Sequence, residues 1–429
     1  MSANKILRIA LGLLSTAALS IALAGNANAA DSSAHFRRGI GISHVMGFAG
    51  IDDGAAKSFT FPPFSDETRA LPAEALQTLR RAGFDFVRLA VDPGPFLQFK
   101  GTRREQTERV LLDRVKMILA CGLSVIVDFH PSDMHPDYTA QALTAGVDTP
   151  VFADYVQLLA RTATLLAGLH SDSVALELMN EPPVRPAAWQ PMLEAAYAAV
   201  RRSSADLPVL LEGGEEASPA ALLAMPTAAF AHDRAALFSF HYYEPYQFTH
   251  QGASWNPARY LADVPYPALA RPLQDSLGAT AALIAASDLP HQDKVLAYRD
   301  AQMRLESYQR SGFDRHTIVR DFREIADWAQ SHGVGPDRIL LGEFGARETA
   351  LQFDGIRAAE RAQWFFDVRE AAEAARFGWA VWAYRGGGGF ALAPDGSSDI
   401  EPAIAQALGL NSGKPRKSAD MPDARHGDH

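Results

Sequence analysis

Val174-Ala175-Leu176-Glu177-Leu178-Met179-Asn180-Glu181-Pro182 is an apolar run that stops at an amide, an acid and a proline. A carboxylate costs several kcal/mol to bury unpaired, so an acid closing a core strand faces a cleft or a partner. Ile339-Leu340-Leu341-Gly342-Glu343-Phe344-Gly345 repeats the pattern much later in the chain. Two such acids, on strands far apart in sequence, suggest a pair that meets across one site.

Working outward, the same kind of run recurs at 39–44, 86–91, 124–130, 209–213, 237–242 and 378–383, and with 174–180 and 339–343 makes eight. Helical periodicity fills 72–82, 108–120, 152–169, 189–203, 317–331 and 358–375, and a short closing helix is expected at 402–408. Strands alternating with helices read as βα units. Uninterrupted apolar strands suit a parallel sheet covered on both faces. Eight such units predict an α/β fold of the (β/α)8 TIM-barrel kind. An open doubly wound sheet is the weaker reading, because no G-x-G-x-x-G or G-x-x-x-x-G-K turn follows any strand.

One connection is anomalous. The stretch between the sixth and seventh strands far exceeds an ordinary loop, and its insertion, about 244–315, is expected over the C-terminal face as one wall of a cleft. A separate small domain there would be short of apolar residues.

The chain's ends are set apart from the domain expected over 30–410. Lys5 and Arg8 precede an apolar run at 9–24, and Ala27-Asn28-Ala29 gives an A-x-A site. Residues 1–29 therefore read as a signal peptide cleaved near Ala29/Ala30, which makes the mature protein secreted or periplasmic; an uncleaved anchor is the alternative. No later stretch is apolar enough to span a bilayer. Residues 411–429 are charged and poor in apolar groups, the composition of a disordered tail. Losing Lys5 and Arg8 takes the formal charge from −10 to −12. That balance does not suit nucleic acid or anionic lipid, and a neutral substrate is easier to accommodate. Cys121 is the single cysteine, so no intrachain disulfide is possible, and it reads as a small core residue.

A barrel gathers the ends of its strands at one mouth. Polar and aromatic residues fall there in nearly every strand: His44, Arg88, His130, Asn180 with Glu181, Glu212 or Glu215, His241 with Tyr243, Glu343, and Trp382. Glu181 and Glu343 fit the two-carboxylate chemistry of glycoside hydrolysis, in which one acid donates a proton and the other attacks. Arg88 is a charge inside a buried strand and needs an anion; the candidates are Glu343 or a structural acid such as Glu177. Asn180 suits a sugar hydroxyl, and His130, His241 and Tyr243 add donors and acceptors. Trp382 offers a flat face to a sugar ring, and Trp255 and the Tyr242–Tyr246 cluster suit outer positions. Trp379 has the opposite parity and is expected under a helix. A metal site from Asp128, His130, His135 and His241 fails on ligand number and spacing, and no G-x-S-x-G elbow is present. No metal or cofactor is expected.

With these residues in place, the chain resembles glycoside hydrolase family five, the cellulase-like branch of clan A. The likeness runs from about Arg38 to Leu408. It rests on Leu178-Met179-Asn180-Glu181-Pro182 and Leu341-Gly342-Glu343-Phe344-Gly345, with Val87-Arg88-Leu89, Asp128-Phe129-His130, His241-Tyr242-Tyr243 and Trp382 in support. The resemblance implies net retention, with Glu181 as acid/base, Glu343 as nucleophile, and Arg88, His130, Asn180, His241, Tyr243 and Trp382 around the cleaved unit. It implies a β-linked polysaccharide or oligosaccharide substrate, β-1,4-glucan first, with β-mannan or β-1,3-glucan as alternatives. A monomeric, exported endoglucanase is the expectation, and a catalytically silent glycan-binding barrel is the reading from another class. Pro183 after the usual proline and the long insertion depart from the common pattern and bear on substrate choice.

Overall fold

The computed structural model describes residues 35–52, 54, 57–348, 356–393 and 397–411. The expected signal peptide and nearly all of the expected tail lie outside these residues. Eight parallel strands close into a barrel in sequence order: β1 (Arg38–Met46), β2 (Phe86–Val91), β3 (Ser124–Phe129), β4 (Val174–Glu177), β5 (Val209–Glu212), β6 (Ala236–Tyr242), β7 (Ile339–Phe344) and β8 (Gly378–Val381). β8 pairs back onto β1 through Arg38 and Trp379, which completes the expected TIM barrel. Among the described residues, no helix is long and apolar enough to cross a membrane.

The main helices are α1 (Ala73–Ala82), α2 (Gly101–Ala120), α3 (Pro150–Ala167), α4 (Pro186–Ser203), α5 (Pro219–Leu223), α6 (Leu273–Ala285), α7 (His291–Ser311), α8 (Arg315–Ser331), α9 (Ile356–Ala374) and α10 (Pro402–Ala407). Local chemistry sets their ends. Thr149 caps α3 by accepting from the Phe152 N–H, with Pro150 in the first turn. Gly83 closes α1 at φ 115, a conformation that costs glycine little. The β5–β6 connection holds the five-residue α5 and a short left-handed turn at Gly214–Ala217.

Outward strand residues and the helices share the main core, which includes Trp379, packed edge-on to Phe84 and Phe344 as its parity predicted. A second cluster fills the barrel's lower interior: Phe36, Phe86, Ile126, Ala175, Leu210, Leu237, Leu340 and Ala380. Cys121 is half-buried, its thiol 3.8 Å from the Ala73 carbonyl.

The insertion between β6 and β7 is fastened to the barrel rather than standing apart. The Tyr266 hydroxyl donates to Asp367 on α9 at 2.8 Å, and Arg271 pairs with Glu360 on the same helix at 3.0 Å. Within the insertion, α6 packs on α7.

Candidate active site

Above the apolar floor, the next inward position on each strand changes character. Arg88, Asp128, Glu177, Glu212 and Ser239 form a fully buried polar layer. Arg88 donates to both Glu177 oxygens at 2.7 and 2.6 Å, to Asn180 Oδ1 at 2.7 Å and to Glu343 Oε1, and it lies 3.1 Å from Asp128. The two partners weighed for Arg88 are therefore both real. Burial works against its cation, but Asp128, Glu177 and Glu343 more than restore it.

Strict alternation would turn Glu343 outward, since Leu340 faces in and Leu341 faces out. A bulge prevents that. Phe240 pairs with Leu341 but His241 pairs with Glu343, so Gly342 is an extra residue that re-aims Glu343 into the barrel. Glycine suits the bulge: a Cβ there would lie 2.3 Å from Ser239 Oγ and 3.1 Å from His241 Nε2, so a larger residue would push on both side chains.

Glu181 reaches the mouth differently. β4 ends at Glu177, shorter than the sequence predicted, and Glu181 sits beyond it with φ 47. That left-handed backbone costs a non-glycine residue about 1–2 kcal/mol. Two backbone hydrogen bonds hold the segment: Asn180 N–H to the Phe129 carbonyl at 2.9 Å, and Glu181 N–H to Glu212 Oε2 at 2.7 Å. Behind it, a turn with Glu215, Glu216 and Ala217 all at positive φ docks on the Pro182 and Val184 carbonyls.

The two acids meet around His241. Its Nδ1 lies 2.8 Å from Glu181 Oε1 and 3.8 Å from Glu343 Oε2, and one oxygen of each carboxylate lies within 4.8 Å of the other. Tyr243 donates its hydroxyl to Glu343 Oε2 at 2.8 Å. Their environments differ. Burial raises the Glu181 carboxyl above its ordinary range and His241 only partly offsets it. Burial also acts on Glu343, but the His241 and Arg88 charges outweigh it and hold that carboxyl low.

The remaining residues line or back a cleft of about 620 Å³. The His130 ring stacks on Trp382 at 5.4 Å and 2°, with Nδ1 2.9 Å from Asp128. Asn180 has its oxygen committed to Arg88, leaving its amide group 3.4 Å from His130 Nε2. The insertion contributes Tyr246, His250 and Trp255 to the wall, as expected. His135 lies apart, under Phe59 and Tyr138. His44 packs near Tyr384 outside the cleft lining. Of the two acids offered for β5, Glu212 is the buried one and Glu215 is exposed on the rim. Sequence reasoning missed the polar layer as a unit and the Gly342 bulge. A charge at the same inward parity on β2, β3, β4 and β5 was the available signal.

The model of the cellulase family (glycosyl hydrolase family 5) matches residues 56–388. The chain belongs to glycosyl hydrolase family 5. Within this family, it is similar to endoglucanase 3 of Fibrobacter succinogenes (24% identical over 300 residues, 68% of this chain and 40% of that one). It is also similar to cellodextrinase A of Ruminococcus flavefaciens (26% over 179 residues, 41% and 52%). The chain thus spans about half the length of these relatives. Among solved structures, endoglucanase Cel5A of Thermotoga maritima aligns over 89% of this chain and all of its own (100%), with TM-score 0.63 and 18% identity. The cellulose synthase subunit Z of Clostridioides difficile aligns over 87% and 99%, with TM-score 0.62 and 19% identity. At these identities the structural likeness is one of fold.

Proposed function

We propose that the protein is an exported, retaining β-glycosidase, foremost an endo-β-1,4-glucanase. The observation that carries this reading is the approach of Glu181 and Glu343 to within 4.8 Å, oxygen to oxygen. Retaining enzymes hold their carboxyl groups about 5–5.5 Å apart, whereas inverting enzymes need about 6.5–9.5 Å to admit a water. Glu343, held ionised by Arg88 and His241, attacks the anomeric carbon. Glu181, kept protonated by burial, gives its proton to the leaving oxygen. Glu181 then takes a proton from water, which attacks the same carbon and frees Glu343. The activity should therefore be bell-shaped in pH, rising as Glu343 ionises and falling as Glu181 deprotonates.

β-1,4-Glucan is the favoured substrate because the relatives above are named for endoglucanase and cellodextrinase activities. Mannan stays the alternative: the Thermotoga maritima Cel5A fold has been solved with mannotriose (TM-score 0.61, 17% identity). The test is hydrolysis of soluble cellulose, mannan and laminarin, with NMR of the first-formed anomer. Cleavage of the glucan giving the β-anomer first is expected. An α-anomer first would sink the retaining mechanism.

A further inference from the structure

We propose that Glu212 is a positioning residue for this reaction: its carboxylate ties the His241 ring to the Glu181 main chain and stands behind them as a fixed counter-charge. The inference rests on the acid/base reading of Glu181 and goes beyond it.

Glu212 is buried at the end of β5, and each of its oxygens has a different task. Oε2 accepts the Glu181 N–H at 2.7 Å, at the residue whose backbone is held left-handed. Oε1 lies 2.8 Å from His241 Nε2, off the ring N–H axis, and accepts from Ser239 Oγ at 3.3 Å. The other ionisable groups around this contact are Arg88 on β2, Asp128 on β3 and His130 just beyond it, Glu177 on β4, Tyr243 beyond β6 and Glu343 on β7, with Tyr155 of α3 behind them.

Elimination among these anions leaves Glu212 as the permanent partner of His241: Arg88 engages both oxygens of Glu177, and Asp128 is shared by Arg88 and His130. Glu181 must be protonated when the reaction starts, so it is no counter-ion then. Glu343 is 3.8 Å away and already held by Arg88 and Tyr243. Forming the glycosyl ester removes the charge of Glu343 while proton donation creates one on Glu181. One negative charge therefore passes from one side of His241 to the other, and Glu212 stays ionised throughout. Burial opposes that ionisation, but the His241 and Arg88 cations hold its carboxyl down to about 2. Burial likewise opposes the His241 cation, and Glu212 is the foremost charge restoring it.

The sign follows for Glu212→Gln. Without the counter-charge the His241 cation loses its foremost support and gives up its proton near neutral pH, and its lowering effect on both Glu181 and Glu343 weakens. Both limbs of the kcat/KM profile should move up by about one pH unit, the size of a close-charge effect. The imidazole 15N shifts of His241, constant across neutral pH in the parent, should titrate in the variant. A folded Glu212→Gln protein with unmoved limbs and a non-titrating His241 overturns the proposal. Should that variant fail to fold, Glu212→Asp carries the test: it keeps the charge but retracts it. Unmoved limbs with kcat lowered about 10- to 100-fold are then expected from misplacement, and an unchanged kcat overturns the role. Glu181→Gln is the control that separates the two readings. Retained activity there sinks the acid/base assignment, whereas its loss beside unmoved limbs in Glu212→Gln sinks only the role of Glu212.

Discussion

Leu210 and Glu212 stand two residues apart on β5 and point into the same barrel, one into an apolar floor and the other into a charged layer. The floor is held by shape. Its members touch through side chains of differing size, and any set that fills the volume satisfies it. The layer is held by balance: Arg88 is shared among three carboxylates on three other strands and Asn180 beyond β4, and removing one member leaves others buried and unpaired. Within one turn of the pleat, the same scaffold passes from a region that tolerates substitution to one that does not.

That contrast can be broken at three points. The largest effect is expected at Glu343→Gln, which removes the oxygen anion proposed to attack but leaves Arg88 paired with Glu177 and Asp128. Activity should fall by about 10⁴-fold or more while thermal unfolding changes little. A loss of activity matched by a loss of fold would mean that the mouth is structural. Next comes Arg88→Met, which takes the guanidinium from Glu177 and leaves Asp128 with His130. Breaking a buried pair from one side costs about 3–5 kcal/mol, so denaturant unfolding should shift strongly together with the loss of activity. An undiminished midpoint would show the layer to be dispensable. The smallest effect on activity belongs to the floor. Leu210→Ala should cost about 2–5 kcal/mol of stability and leave the pH profile of the folded enzyme where it was. A moved profile would join the two regions that the geometry separates.

Much of this could be read from the chain alone. The eight strands were legible because buried parallel strands need unbroken apolar runs, and their order fixed the closure. Arg88 stood out as a charge inside a buried strand, and Glu181, His241 and Glu343 as polar groups where apolar strands run out, because both placements are costly without a partner. Strand ends were less legible: β4 stops at Glu177 because the chain must turn into the left-handed conformation that aims Glu181. The inward direction of Glu343 was not legible at all, since alternation from Leu340 points it the other way and only pairing with β6 reveals the bulge. Glu212 was visible as an acid, and the inward parity it shares with Arg88, Asp128 and Glu177 sets it apart from Glu215, but its two contacts join residues remote in sequence.

The Gly342 bulge has a consequence for how such chains are aligned and redesigned. On β7, the kind of residue and the number of residues carry separate information, and the chemistry depends on both. A variant keeping every side chain but lacking Gly342 would have an intact inventory and a carboxylate facing the helices. Spacing along a strand is thus a heritable trait in its own right, and a comparison that scores identities while forgiving a single gap would miss its loss.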